Sequence, residues 1–305
     1  MMQAIQALSW LGGAATRAEL RAQGVTRHAM DAAVSSGTAR GADGALWLLH
    51  APADLVLACR TRSWLGCVSA LAHWGMPMID QPGRPHLATT GHRVDRRAAW
   101  HRLRGPVCFD RGPDPRTRCV DPVTAVAQAT RCLPQRDALV VVDAALRQRV
   151  VTRGELAAVL PPTDPHRGRW VLEHADERAE SVIESALRHL LIDGGVTGFE
   201  PQARLRGVGR VDLLLDGWLV LEADGVESHS SVDDFLTDRA RLAAAARTGY
   251  VTLRFGFKDI VRRPDLVLAC IRQTHERGRG QHFLTALRPP ADIAAGGPWQ
   301  SWEAR

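Results

Sequence analysis

Four acidic residues have types and spacing that could do chemistry. Asp212, Glu222 and Asp224 lie in the stretch RVDLLLDGWLVLEADGVESH, from Arg210 to His229, and Glu184 lies upstream in ADERAESVIESALRHLLIDGG, from Ala175 to Gly195. In the first stretch Val211, Leu213, Leu219, Leu221 and Ala223 alternate with Asp212, Trp218, Val220, Glu222 and Asp224. This period of two predicts a hairpin with one wholly apolar face. A three-residue loop, Leu215 to Gly217, pairs Leu214 with Trp218 and Asp212 with Val220. Asp212 and Glu222 then stand diagonally on one face, roughly 7–8 Å apart in backbone terms. A two-residue turn would put them on opposite faces. Only the three-residue loop puts the five apolar residues together, and register is strongly specified where one face is buried. Carboxylates on such a surface must be solvated, protonated or paired with a cation. A hard divalent metal with oxygen ligands is one solution. A hairpin whose second face is wet is the other.

The neighbouring segments supply the elements that would position these acids. Ile183, Leu187, Leu190 and Leu191 follow helical spacing, Glu184 sits at the margin of that stripe, and Gly194-Gly195 stops the helix. Downstream, Ser231 and Asp234 have the spacing of a capping box, opening a helix with Phe235, Arg239, Leu242 and Ala246 on one side. Gly249 ends it, and Tyr250 to Phe257 reads as a further strand.

Together, Glu184, Val211-Asp212, Glu222-x-Asp224-Gly225, His229, Asp238-Arg239-x-Arg241-Leu242 and Leu253-Arg254-Phe255 resemble the Vsr-like domain of unknown function of the PD-(D/E)xK, or restriction-endonuclease-like, superfamily. The resemblance runs from about Glu180 to Arg272. It implies a mixed sheet flanked by helices and a Mg²⁺- or Mn²⁺-dependent attack of water on a phosphodiester. It makes Asp212 and Glu222 metal ligands, with Glu184 completing the site or holding a metal-bound water. His229 becomes the base or transition-state stabiliser. The superfamily usually carries lysine two residues after the glutamate. Here that position is Asp224, which either joins the metal site or repels the phosphate, and the single lysine, Lys258, lies well downstream. The Vsr-like branch also lacks that lysine and has a histidine nearby, a role open to His229.

The first fifty residues predict a small helical module ending in a hairpin. Ile5, Leu8 and Leu11 form one helix face. Thr16 with Glu19 caps a helix over residues 17–23, Thr26 caps another over 27–35, and residues 41–44 turn into a strand over 45–49. A helix, a helix-turn-helix and a β-wing make a winged helix. The module resembles the N-terminal domain of AbiEi-family antitoxins. Thr26, Arg27 and His28 would begin the recognition helix, and Arg40 on the wing would meet phosphate. A protein-binding winged helix with solvated arginines is the alternative, since a fold does not fix a function.

Residues 51–162 predict a middle α/β domain, also similar to AbiEi-like proteins. Leu65 to Trp74 reads as a helix and Pro85 to Thr90 as a strand. Further helices run from Asp121-Pro122 to Cys132, from Asp137 to Leu146, and from the Thr152/Glu155 capping box to Leu160. Arg93, Arg96, Arg97, Arg102 and Arg104 would follow a phosphate backbone or form a solvated loop. His73, His86, His92 and His101 lack metal-ligand spacing and read as surface or packing histidines. Six cysteines without paired spacing read as reduced thiols.

The fold class is therefore α/β (α+β): winged helix over 1–50, middle domain over 51–162, endonuclease-like domain over 170–275 and irregular tail over 276–305. Pro161 to Pro165 is the linker. A net charge of +6 and pI near 9.5 favour a polyanionic partner, although an arginine-rich composition also follows from a GC-rich genome. No apolar run reaches the ~18 residues of a membrane helix, and the first ten residues are not a signal peptide, so a cytoplasmic location is expected. Three functions fit. One is a metal-dependent DNA endonuclease targeted by the winged helix. The second is a DNA-binding antitoxin-type transcriptional regulator with an inactive nuclease fold and a cognate toxin or other protein partner. The third is a protein-interaction module without nucleic acid. Oligomeric state is left open.

Overall fold

The computed structural model describes residues 3–80, 83–90, 97–102, 118–160, 168–225 and 232–278, without the side chains of residues 102 and 232–235. His229, Ser231, Arg93, Arg96, Arg104, His92, the linker over 161–165 and most of the tail lie outside them. The chain is of the mixed α/β class and forms two compact units, Met1–Asp176 and Glu177–Arg305.

The first unit opens with α1 (Ala4–Trp10), β1 (Ala14–Thr16), α2 (Arg17–Ala22), α3 (Arg27–Ser35), β2 (Arg40–Ala42) and β3 (Ala45–Trp47), with the strands ordered β1-β3-β2. This is the winged-helix order. Local chemistry fixes its boundaries. Thr16 Oγ1 accepts from Glu19 N at 3.2 Å while Glu19 Oε2 accepts from Thr16 N at 2.7 Å, closing the capping box. Thr26 Oγ1 accepts from Ala29 N at 3.1 Å to start α3. Ala42 pairs with Ala45 around Asp43-Gly44, both left-handed at φ 53° and 78°, the two-residue turn whose twist matches the strands. Leu8, Leu20, Met30 and Leu46 fill the module's core. Ile5 is 40% exposed; Ala4 and Ala7 instead join Leu8 and Leu11 inside.

The same unit continues with α4 (Ala53–Thr61), β4 (Trp64–Leu65), α5 (Cys67–His73), β5 (His86–Thr89), β6 (Ala99–Arg102), α6 (Pro122–Cys132), α7 (Gln135–Arg147), α8 (Arg153–Val159) and α9 (Trp170–His174). Leu65 departs from the expected helix. It lies in β4, antiparallel to β5, and β5 runs parallel to β6. Asp121 Oδ1 accepts from Thr124 N at 2.9 Å with Pro122 at the first helical position, and Thr152 with Glu155 closes another capping box. The winged module shares an apolar cluster with this region through Ala14, Ala45, Leu55 and Cys59. Arg118 bonds both the Glu19 carboxylate and Ser63 O, the latter at 2.6 Å. The stretches expected as two domains are therefore one unit.

The second unit runs α10 (Val182–Asp193), β7 (Phe199–Pro201), β8 (Arg204–Leu205), β9 (Gly209–Arg210), β10 (Leu213–Leu215), β11 (Leu219–Asp224), α11 (Val232–Arg247), β12 (Val251–Gly256), α12 (Phe257–Arg262) and α13 (Pro264–Gly278). Its four-stranded sheet has the order β12-β11-β10-β7, antiparallel except for the β11–β12 pair, and β8 pairs separately with β9. A parallel neighbour needs a crossover, and α11 supplies it. Leu213, Leu215, Leu219 and Leu221 are all at most 2% exposed, so the predicted apolar face is present. Val211 is the exception and packs with Val220 and Ala245. The inward side of α11 carries Asp238, Arg241, Leu242 and Ala245, whereas Arg239 and Ala246 are exposed. Helix α13 extends through Gly278, beyond the point at which an irregular tail was expected.

Candidate functional site

Asp212 immediately precedes β10, while Glu222 and Asp224 lie on β11 in the middle of the sheet. The hairpin register differs from the expected one. Leu215 pairs with Leu219, Leu214 with Val220 and Leu213 with Leu221. The loop is therefore Asp216-Gly217-Trp218, one residue further along. Asp216 (φ 47°) and Gly217 (φ 75°) are both left-handed, and Trp218 N donates to Leu215 O at 3.2 Å. Asp and Gly adopt this backbone more readily than Leu215 would. The shift preserves parity, so Asp212 and Glu222 keep a common face and become directly opposed instead of diagonal. Their carboxyls interact directly enough that each shifts the other's pKa. Asp212 Oδ2 also accepts from Ala223 N at 2.8 Å, satisfying a strand donor where the β10 ladder has ended.

Glu184 reaches the same place from the first turn of α10. Ser181 caps that helix, its Oγ accepting from Glu184 N at 3.2 Å. Glu184 Oε2 accepts from Glu180 N and from Gln202 Nε2, each at 2.8 Å. Gln202, left-handed at φ 57°, donates its own N–H to Asp212 O at 2.8 Å. Its side-chain Oε1 is buried without a hydrogen-bond partner among the described residues. A buried amide oxygen normally has a partner, so this one is an acceptor left for something else.

The electrostatics are those of an anion cluster short of a cation. Burial, followed by the nearby Asp212 charge, raises the Glu184 pKa above its ordinary value. Burial also raises Asp212, opposed by the Ala223 N–H and the Glu222 carboxyl, with the Asp224 charge adding to the rise. Glu222 is pushed up to about 8, first by burial and then by Asp212, against the opposing pull of Arg241. Arg241 Nη2 stands 3.5 Å from Glu222 Oε1 and donates to Arg210 O at 2.6 Å. Hydrogen bonds and one guanidinium thus leave three carboxyls under-compensated. Carboxylate oxygens are hard donors of the kind Mg²⁺ or Mn²⁺ takes.

Asp224 is placed differently. Arg254 Nε donates to its Oδ2 at 2.9 Å and Arg254 Nη2 to its Oδ1 at 2.7 Å, and Arg254 Nη1 also bonds Asp238. This fork joins β11, β12 and α11, and it gives the Asp238 and Arg254 of the motif a structural role. Asp224 therefore acts on Asp212 through space while both of its oxygens are engaged. Arg254→Ala leaves two facing acids without a cation. It should destabilise the protein by about 1–2 kcal/mol after solvent screening, measured by urea denaturation. Lys258 is exposed on α12.

In the winged module Arg27 and His28 are exposed at the start of α3, with the Arg27 side chain 90% accessible. Arg27 Nε lies 3.6 Å from Asp31, which also takes a 2.9 Å bond from Arg17. Thr26 is committed to the cap, and Arg40 is exposed at the base of the wing. Arg97 is exposed in the middle region.

Sequence reading missed Gln202, which carries no local signal, and it gave Arg241 and Arg254 no role. It also did not bring together four residues of the first unit. His86 and His101, taken for packing or surface histidines, come together with Cys67 and Cys132, their ligand atoms all within 4.8 Å of one another. Spacing along the chain could not reveal this, because the four lie on four separate elements.

No protein-family model matches the chain. It is similar to two uncharacterized proteins of Mycobacterium tuberculosis, one from strain CDC 1551 / Oshkosh and one from strain H37Rv. Each is 31% identical over 167 residues, which is 52% of this chain and 62% of the relative's length. Among the described residues, no helix is long and apolar enough to cross a membrane.

Proposed function

We propose that this chain is a DNA endonuclease that hydrolyses phosphodiesters with Mg²⁺ or Mn²⁺ and engages its substrate through the winged helix. The observation that carries this reading is the convergence of Glu184, Asp212 and Glu222 with their carboxyl pKa values all raised and an orphaned Gln202 oxygen beside them. Glu184 on a helix, with Asp212 just before β10 and Glu222 on the neighbouring β11 of a mixed sheet flanked by helices, is what the restriction-endonuclease resemblance leads one to expect. Asp212 and Glu222 would hold the ion, and Glu184 would accept a hydrogen bond from the water that attacks. The bound ion supplies charge neutralisation at the phosphate and a water acidified toward neutral pH. Arg241, beside Glu222, offers the positive charge that the superfamily draws from lysine. His229 remains the proposed base, and Asp224 the least supported of the proposed ligands. Incubation of plasmid and single-stranded DNA with Mg²⁺ or Mn²⁺, wild type against Asp212→Asn, tests the reading. Absence of cleavage by wild type under either metal would refute it.

A second reading, a DNA-binding antitoxin-type regulator with an inactive nuclease fold and a cognate toxin or other protein partner, is favoured by one observation. The position usually held by lysine is an aspartate locked to Arg254. Under both readings the winged helix binds duplex DNA. Replacing Arg27 and Arg40 with alanine should weaken binding and lower the slope of log K against log salt by about 2, near 0.9 per lost phosphate contact. Fluorescence anisotropy at several salt concentrations measures this. An unchanged slope would move the DNA surface off this module.

A further inference from the structure

The strongest unassigned constellation among the described residues lies in the first unit. Cys67 begins α5, His86 begins β5, His101 is on β6 and Cys132 ends α6. The parallel register pairs His86 with Ala99 and Ala88 with His101, so the two histidines project from the same face of adjacent strands. His86 Nδ1 lies 3.1 Å from His101 Nε2 and 3.6 Å from Cys132 Sγ. All four donor atoms lie within 4.8 Å of one another.

These separations select the ligand. Tetrahedral zinc has Zn–S near 2.3 Å and Zn–N near 2.0–2.1 Å, so its ligand atoms stand roughly 3.3–3.8 Å apart along the tetrahedron's edges. The His86–His101 and His86–Cys132 separations bracket the lower part of that range. Two thiols and two imidazoles are the borderline-soft set zinc prefers, and they are unsuited to Mg²⁺ or Ca²⁺. The surroundings are built to hold the donors still. Cys67 is left-handed at φ 47°, a conformation with a steric cost for a residue bearing a Cβ, and its N–H donates to Gln128 Oε1 at 2.8 Å. His86 N donates to Ser69 Oγ at 3.0 Å, while its carbonyl accepts from Gly66 N at 2.9 Å. A Cβ on Gly66 would come within 2.7 Å of Gln128 Oε1 and 3.0 Å of the Ala88 side chain, so a larger residue there would push on the group that holds the Cys67 N–H. Cys67 is buried, the histidines are half-buried and Cys132 is exposed, so an ion has a route from solvent.

We propose that Cys67, His86, His101 and Cys132 bind one Zn²⁺ in a closed Cys₂His₂ site. Four protein ligands leave no open position for substrate, so the site is structural. It fastens the start of α5 and the end of α6 to the adjacent strands β5 and β6. Binding forms two Zn–S and two Zn–N bonds and releases both thiol protons to solvent, so affinity rises with pH.

The test uses the full chain purified without chelator. Elemental analysis should find about one zinc per chain in wild type and in Cys270→Ser, an exposed cysteine outside the cluster. It should find almost none in Cys132→Ser, whose position is exposed enough to tolerate the change. Cobalt exchanged into wild type should give the intense visible bands of tetrahedral Co²⁺ with a thiolate charge-transfer band. Zinc added to stripped protein should raise the wild-type melting temperature and leave that of Cys132→Ser unchanged. Wild type that retains no zinc, gives no tetrahedral cobalt spectrum and melts identically with and without zinc would overturn the proposal. Detection of a Cys67–Cys132 disulfide in freshly purified protein would also overturn it. The cobalt measurement needs no variant, so misfolding of Cys132→Ser would not decide the matter.

Discussion

Asp212→Asn is expected to lower metal-dependent DNA cleavage by about 10³-fold or more, to background, while leaving the fold intact. A metal contributes several kcal/mol of transition-state stabilisation, and each 1.36 kcal/mol is a factor of ten in rate. The amide keeps the shape of the side chain, and its oxygen can still accept the Ala223 N–H that now meets Asp212 Oδ2 at 2.8 Å. The strand end therefore survives and only the charge is lost. Glu222→Gln should behave alike for activity. His229→Ala should slow cleavage by about 10²–10⁴-fold without affecting metal affinity, the size of a general-base contribution. Asp224→Asn should retain metal binding, because Arg254 already engages both Asp224 oxygens. Gel assays of cleavage alongside circular-dichroism melts separate loss of chemistry from loss of fold. Cleavage by Asp212→Asn at the wild-type rate would remove this residue from the active site.

Stability of the magnesium-free protein is expected to fall as pH rises from about 5 to about 8. The Glu222 carboxyl titrates near 8 in the folded chain, against an ordinary value of 4.5. Between those values the folded state holds a proton that the unfolded chain has released. The resulting stabilisation is complete below the ordinary pKa and disappears as pH climbs through the folded one. Each tenfold difference in proton affinity between the folded and unfolded chains corresponds to about 1.4 kcal/mol, so the loss amounts to several degrees of melting temperature. Asp212 and Glu184 are raised too and act in the same direction. Glu222→Gln should flatten most of this slope and be the more stable protein at pH 8. Mg²⁺ or Mn²⁺ should restore wild-type stability at pH 8 and have little effect at pH 5, where protons compete for the same oxygens. Scanning calorimetry across this range, in buffer free of Mg²⁺ and Mn²⁺, reads both effects. A wild-type profile that is flat from pH 5 to pH 8 would mean that the carboxyls are already compensated.

The parts of the structure that depend on neighbours in sequence were legible. Thr16 with Glu19, Thr26, Asp121-Pro122 and Thr152 with Glu155 cap helices because the bonds involved span three residues. The period of two between Val211 and Asp224 placed Asp212 and Glu222 on one face, and this survived an error in the loop because both registers share parity. The position of the turn was not legible. It depended on Asp216 and Gly217 both taking left-handed backbone, with Trp218 as the extra residue before β11. The inward face of α11 was misassigned because its helical pattern is weakly apolar, and two of its inward residues, Asp238 and Arg241, are charged and paired. Non-local partners were invisible for a simpler reason. Gln202 beside Glu184, Arg254 across Asp224, and the four residues around His86 and His101 meet only once the sheets form.

Calorimetric titration of Mn²⁺ into zinc-loaded protein near pH 8 tests the central claim most directly, because it needs no knowledge of the DNA substrate. Zinc loading fills the Cys/His cluster, so Mn²⁺ reports on the carboxyls. The site formed by Asp212, Glu222 and Glu184 predicts saturable binding with proton release in wild type. Asp212→Asn and Glu222→Gln should abolish that binding, and Cys132→Ser should leave it unchanged. Wild type that binds no Mn²⁺, or binding that persists undiminished in Asp212→Asn, would contradict the claim.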